Sequence, residues 1–173
     1  MTKYFFPRIA KRLTEQNLLK AIVPVEKGSA ELEEMLLAGT LDMSLMGAIE
    51  KQFNENLAYQ HLGNDHFVAI VGSQSPFFSR DKIWFSELKN ESFITFDSNF
   101  VHAEALRNFS NITNFRPNVV YQSNDSQVIQ EMVAQNVGVG FIVNSAVIKR
   151  PDVRVLPFFR WRATLVFTWT WSN

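Results

Sequence analysis

An alternation of strand, helix and strand near the start of the chain limits the folds open to it. Residues 18–26, LLKAIVPVE, are rich in β-branched side chains and read as a strand, with Pro24 suited to an edge or a strand end. Gly28 breaks that run. Ser29 reads as the N-cap of a helix with Glu31, Glu33 and Glu34 near its positive end, a buried stripe of Leu32, Met35 and Leu36, and Gly39 as its stop. Residues 41–46, LDMSLM, read as the next strand. Strands joined through a helix normally lie parallel by a right-handed crossover, so an α/β fold is expected. Ahead of them, residues 2–17 read as a helix, with Phe6, Ile9, Ala10 and Leu13 at helical spacing and Pro7 tolerated in the first turns.

The same grammar continues downstream. Residues 54–63 read as a loop and short strand, 66–71 (HFVAIV) as a strong strand, and 73–76 as a turn. A short strand at 83–85 and a helical turn at 86–88 lead to strand 92–96, helix 102–109 and strand 118–122. Helix 125–136 turns Val128, Ile129, Met132 and Val133 inward and leads to strand 140–143, with Gly138 and Gly140 serving close packing. Residues 151–157 are extended between prolines. Residues 163–171 alternate Leu165, Phe167, Trp169 and Trp171 with Thr164, Val166, Thr168 and Thr170, the period of a strand with two different faces.

Composition narrows the function. Seventeen Lys and Arg balance 17 Asp and Glu, and no basic stretch forms the face that phosphate binding needs, so direct nucleic-acid contact by this chain is not expected. The absence of cysteine excludes disulfides, thiolate metal sites and cysteine catalysis. His61, His66 and His102 share no ligand spacing, so no metal site is expected, and no cofactor motif is present. No nucleophile elbow, P-loop or paired carboxylates suggest an enzyme. No leader is visible and no run approaches the ~20 apolar residues of a membrane span, which fits a cytoplasmic protein with no membrane contact.

Several segments in order, YFFPRI (4–9), EKGSAELEEMLLAGTLDMSLMG (26–47), FVAIVGSQSPF (67–77), WFSELKNESFITF (84–96) and IQEMVAQNVGVGFI (129–142), together resemble the effector-binding domain of LysR-type transcriptional regulators. The resemblance runs over nearly the whole chain. It implies two Rossmann-like lobes joined by two crossover strands, as in type 2 periplasmic binding proteins, with lobe I at 1–70 plus 155–173 and lobe II at 71–154. It implies a small-molecule effector in the cleft, a homodimer, and DNA contact through a winged helix-turn-helix that residues 1–173 do not contain. The family's strand before the first helix and its closing helix also lack counterparts, so the fold is expected to miss its first strand. A transporter's solute-binding protein shares this architecture and is the alternative reading, opposed by the lack of a leader.

Parallel sheets gather helix starts at one edge, where free amides attract carboxylates and phosphates. The expected effector contacts are therefore Gly28 and Ser29, the turn of Phe96, Asp97 and Ser98, the turn of Ser123 and Asn124, and the strand edge at Met46 and Gly47. For Ser29 and for the two turns, simple helix capping is the competing role. Thr2 lies near the place where the family uses a hydroxyl at the first helix start, and Tyr4 is expected either to line the cleft mouth or to pack against the surface. A carboxylate effector is expected from the helix-start chemistry and family habit. Tyr4, Phe5 and Trp84, if exposed, would suit the dimer contact.

Overall fold

One long strand organises the molecule. The computed structural model describes residues 2–49, 54–159 and 164–172, with backbone alone at 2–5, 8, 164–169 and 172. Strand β2 (Leu57–Gly72) follows a helix α1 (Thr2–Glu15), a helix α2 (Ser29–Leu37) and a strand β1 (Met43–Ile49). After β2 come β3 (Ser92–Phe96), α3 (Val101–Thr113), β4 (Asn118–Ser123), α4 (Ser126–Ala134), β5 (Val139–Val143), β6 (Val153–Pro157) and β7 (Thr164–Ser172).

The first part of β2, Leu57 to His66, pairs antiparallel with β7, and β7 carries β1 antiparallel on its other side. From Phe67 onward β2 changes partners, pairing antiparallel with β5 and β6. β3 then lies parallel between β5 and β4. Two halves of the sheet therefore share β2.

The residues explain the division. From Phe67 to Gly72 every position of β2 is buried, as a strand covered on both faces requires. Phe67, Ala69 and Val71 enter one cluster with Ala105, Leu106 and Phe109 of α3. Val68 and Ile70 enter another with Ile129 and Val133 of α4. α3 and α4 thus sandwich the second half of the sheet. Phe67, Phe93, Phe109 and Phe141 are fully buried, each contributing about 1.5–3 kcal/mol of apolar burial. The first half has a smaller cluster, in which Leu32 and Leu36 of α2 pack on Met46 and Leu57.

Several expectations are corrected. Residues 18–26 form no strand: Leu19–Ala21 is a 3-10 turn, and the others have no ladder partner. Leu18, Ile22, Val23 and Val25 are exposed there, because β-propensity is realised only against a neighbour and none lies alongside among the described residues. The expected parallel pair of 18–26 with 41–46 is consequently absent, and β1 instead pairs antiparallel with β7. Residues 54–63 belong mostly to the long β2, which bends at a bulge between His61 and Gly63. Residue 83 makes only an isolated bridge, to Phe158. The inward face of α4 is Ile129, Gln130, Val133 and Ala134, with Val128 exposed. Gly138 and Gly140 do sit in close contacts: a Cβ would lie 2.4 Å from the Ser92 carbonyl oxygen in the first case and 2.4 Å from the Ile70 side chain in the second.

Candidate functional site

The N-cap of α2 is Gly28, one residue earlier than the Ser29 cap expected from the sequence. No side chain accepts a hydrogen bond from the amides of the first turn. Ser29 is therefore the first helical residue, and its hydroxyl is not spent on capping. α3 likewise begins at an N-cap, Phe100, that offers no side-chain acceptor. α4 differs: Asp125 accepts from the Gln127 amide at 2.8 Å.

α2 and α3 both start beside the same cavity, of about 120 Å³. Ser29, Ala30 and Glu33 of α2 and Met46, Gly47, Ala48 and Ile49 of β1 form one wall. Ser98, Phe100, Val101, Glu104 and Arg107 form the other. The walls belong to the two halves of the sheet. Met46 and Gly47 lie within β1, not at its end as expected from the sequence, and both are buried.

The structure thus brings Ser29, Met46, Gly47 and Ser98 to one place. Gly28 stands behind the wall, buried, where a Cβ would lie 2.3 Å from the Asn99 carbonyl oxygen. Asp97 shapes its own turn, accepting from the Asn99 amide at 2.9 Å. Phe96 is buried at the end of β3 and rings with Phe100 and His102. Ser123 and Asn124 do not line the cavity. The Ser123 hydroxyl accepts from the Asp125 amide at 3.1 Å, and its carbonyl accepts from the Asp97 amide at 3.3 Å. The side chains of Thr2 and Tyr4, and that of Phe5, lie outside the described residues. Trp84 is exposed and packs against the ring of Phe159 at 4.4 Å.

The charged residues of the cavity escaped the sequence reading. Burial pushes the Glu104 carboxyl up, Arg107 pulls it down, and Glu33 across the cavity pushes it up again. Glu33 accepts a hydrogen bond from the Asn54 side chain at 3.0 Å. Val101, Glu104 and Arg107 recur every three residues, so they share a helix face, and that spacing from the helix start was the available signal. A larger, shallow depression of about 530 Å³ lies elsewhere, and Asp42, Met43, Gln60 and Trp171 are among the residues that line it. Among the described residues no group of His, Asp or Glu could hold a metal ion, and no helix is long and apolar enough to cross a membrane.

A strand shared by two sheet halves, with helix starts meeting at a cavity between them, defines a mixed α/β ligand-binding domain of the type 2 periplasmic-binding-protein-like class. The chain belongs to the LysR family: the LysR substrate binding domain matches residues 1–172. Among curated relatives, it is 29% identical over 128 residues to the malolactic fermentation system transcriptional activator of Lactococcus lactis, covering 74% of this chain and 44% of that protein. It is 27% identical over 139 residues to the uncharacterized HTH-type transcriptional regulator YwbI of Bacillus subtilis, covering 80% of this chain and 45% of that protein. The chain spans about half the length of the curated relatives it matches. In fold it is similar to the effector binding domain of QuiR in complex with shikimate, with a TM-score of 0.80 at 14% identity over 98% of this chain and 81% of that one. It is also similar to the regulatory domain of Synechocystis CcmR in complex with 2-PG, with a TM-score of 0.81 at 16% identity over 99% and 83% of the two chains.

Proposed function

We propose that this domain senses a small anionic metabolite, a carboxylate, held in the cavity between α2 and α3, and passes its binding on as a change in the relative position of two lobes. The observation that carries this reading is that both halves of the sheet contribute to one cavity with two helix starts beside it. Helix starts favour anions, and Ser29, Ser98 and Arg107 add two hydroxyls and a guanidinium. Glu33 and Glu104 disfavour a second negative charge on their side and favour hydrogen-bond donors there. The effector is therefore a molecule with a carboxylate at one end and hydroxyl groups at the other. The two neighbours solved with shikimate and with 2-PG support a small-molecule occupant of this fold.

The lobe boundaries we propose at 70/71 and 154/155 lie within β2, which changes partners after His66, and within β6, which pairs with the second part of β2. Effector binding shifts the population of lobe arrangements without any reaction. In the whole regulator, a cytoplasmic protein, DNA is contacted by a separate domain, and this domain forms the homodimer, with exposed Trp84 a candidate contact. Calorimetry with a panel of small hydroxycarboxylates tests the site. Ser29→Ala and Arg107→Gln each weaken the best binder about ten- to a hundredfold, the loss of one hydrogen bond to a charged group. Unchanged affinity in both folded variants rules the cavity out.

A further inference from the structure

We infer that the backbone carbonyl of Asn99 is a built-in competitor for the effector, latching the two walls together through the first turn of α2. This rests on the reading that the cavity takes an anion. The amide of Ala30 donates to the Asn99 carbonyl at 3.1 Å. Ala30 lies in the first helical turn, whose amides have no partner within the helix and, here, no side-chain cap. A carbonyl from the opposite wall therefore fills the place that Ser, Thr, Asp or Asn fills at an ordinary helix start.

The contact is close and directed. Gly28 is buried at the end of an exposed run, residues 21–27, and a Cβ there would lie 2.3 Å from the Asn99 oxygen and 2.7 Å from its carbonyl carbon. Glycine is thus what lets the Asn99 turn reach the helix. The turn is itself braced. The Asn99 amide donates to the Asp97 carboxylate, the Phe100 amide to the Asp97 carbonyl at 3.2 Å, and the Asp97 amide to the Ser123 carbonyl. Those bonds aim the Asn99 carbonyl at α2. This assigns Asp97, Ser123 and Gly28 a role in the latch.

An effector oxygen that takes the Ala30 amide displaces the Asn99 carbonyl. The bond that recognises the ligand is then the bond that holds the walls, so occupancy and lobe position are coupled at one amide. The latch also lowers affinity, because each binding event breaks a hydrogen bond already made.

Amide exchange and titration with inorganic phosphate, both followed by NMR, test this on the 173-residue chain. In the unaltered protein the Ala30 amide exchanges at least about tenfold more slowly than an unbonded amide. Gly28→Ala drives the turn away, speeds Ala30 exchange about tenfold and tightens phosphate about three- to tenfold. Asp97→Ala, which loosens the turn without adding bulk beside α2, moves both readouts in the same direction and serves if Gly28→Ala fails to fold. An Ala30 amide that exchanges freely in the unaltered protein overturns the latch and leaves the cavity reading intact. A protected amide, released in the variants yet unmoved by phosphate in every protein, overturns the anion site, and the competition with it.

Discussion

His102 makes the stability of this domain depend on acidity in a way that can be calculated. Its ring is buried among Phe67, Phe96 and Phe100, 4.2 Å from Phe96 and 5.4 Å from Phe67 by ring centroids. Neither ring nitrogen has a hydrogen-bond partner among the described residues. Burial penalises the imidazolium and lowers the His102 pKa to about 3, from 6.5. The folded state therefore binds fewer protons than the unfolded chain between those two values. The contribution to stability is complete above about 6.5 and is lost progressively as pH falls towards about 3. At about pH 5 the loss relative to about pH 8 is roughly 2 kcal/mol, since each unit of pKa difference is worth about 1.4 kcal/mol. Urea denaturation of the unaltered protein and of His102→Phe at a series of pH values isolates this group. Any offset from altered packing is common to all pH values, so the slope carries the result. The unaltered protein loses about 2 kcal/mol more than the variant between about pH 8 and pH 5. Parallel curves, or a His102 ring that titrates near its ordinary value by NMR, refute the reasoning.

Two further predictions concern the frame around the site. Asp65 sits where β2 changes partners, and its buried carboxylate accepts from the His66 amide at 2.7 Å and from the Ser145 amide at 3.0 Å. Asp65→Ala strands both donors and costs about 2–4 kcal/mol, read as a drop in the urea midpoint, while Asp65→Asn, keeping one acceptor, costs about half; a loss under about 0.5 kcal/mol in the alanine variant counts against this role. Gly138→Ala and Gly140→Ala both overpack, at about 1–3 kcal/mol, with Gly138→Ala the worse because it meets the Ser92 backbone while Gly140→Ala meets flexible Ile70 and Val133 side chains. Thermal or urea unfolding that reverses this order by more than about 0.5 kcal/mol contradicts the packing account.

What could be read from the sequence follows from how local each cause is. HFVAIV announced a strong strand because every position from Phe67 to Val71 is apolar, and the structure buries both of its faces. Residues 18–26 carried an equally β-rich pattern and formed no strand, because a strand is a property of a pair. Gln130 shows the same limit from the polar side. Within a helix pattern it reads as a solvent residue, yet it is buried, donating to the carbonyls of Ser126 and Ala146 and accepting from the Ile148 amide. Only the return of the chain after β5 supplies two of those partners.

The cavity depends on non-local causes of the same kind. A shift of one residue in the helix start, from Ser29 to Gly28, separates a hydroxyl spent on a cap from one free to face a ligand, and both residue types cap helices well. Ser29 and Ser98 were visible as members of helix-start turns, whereas Glu33, Glu104 and Arg107 gain significance only once the two walls face each other. That juxtaposition is produced by β2, whose first half holds β7 and, through it, β1 against α2, and whose second half holds the β5 and β3 ladder that carries α3. A strand that changes partners between His66 and Phe67 is therefore the structural reason for a cavity. The coupling we propose needs no long pathway: its two ends, the Ala30 amide and the Asn99 turn, are a single hydrogen bond apart.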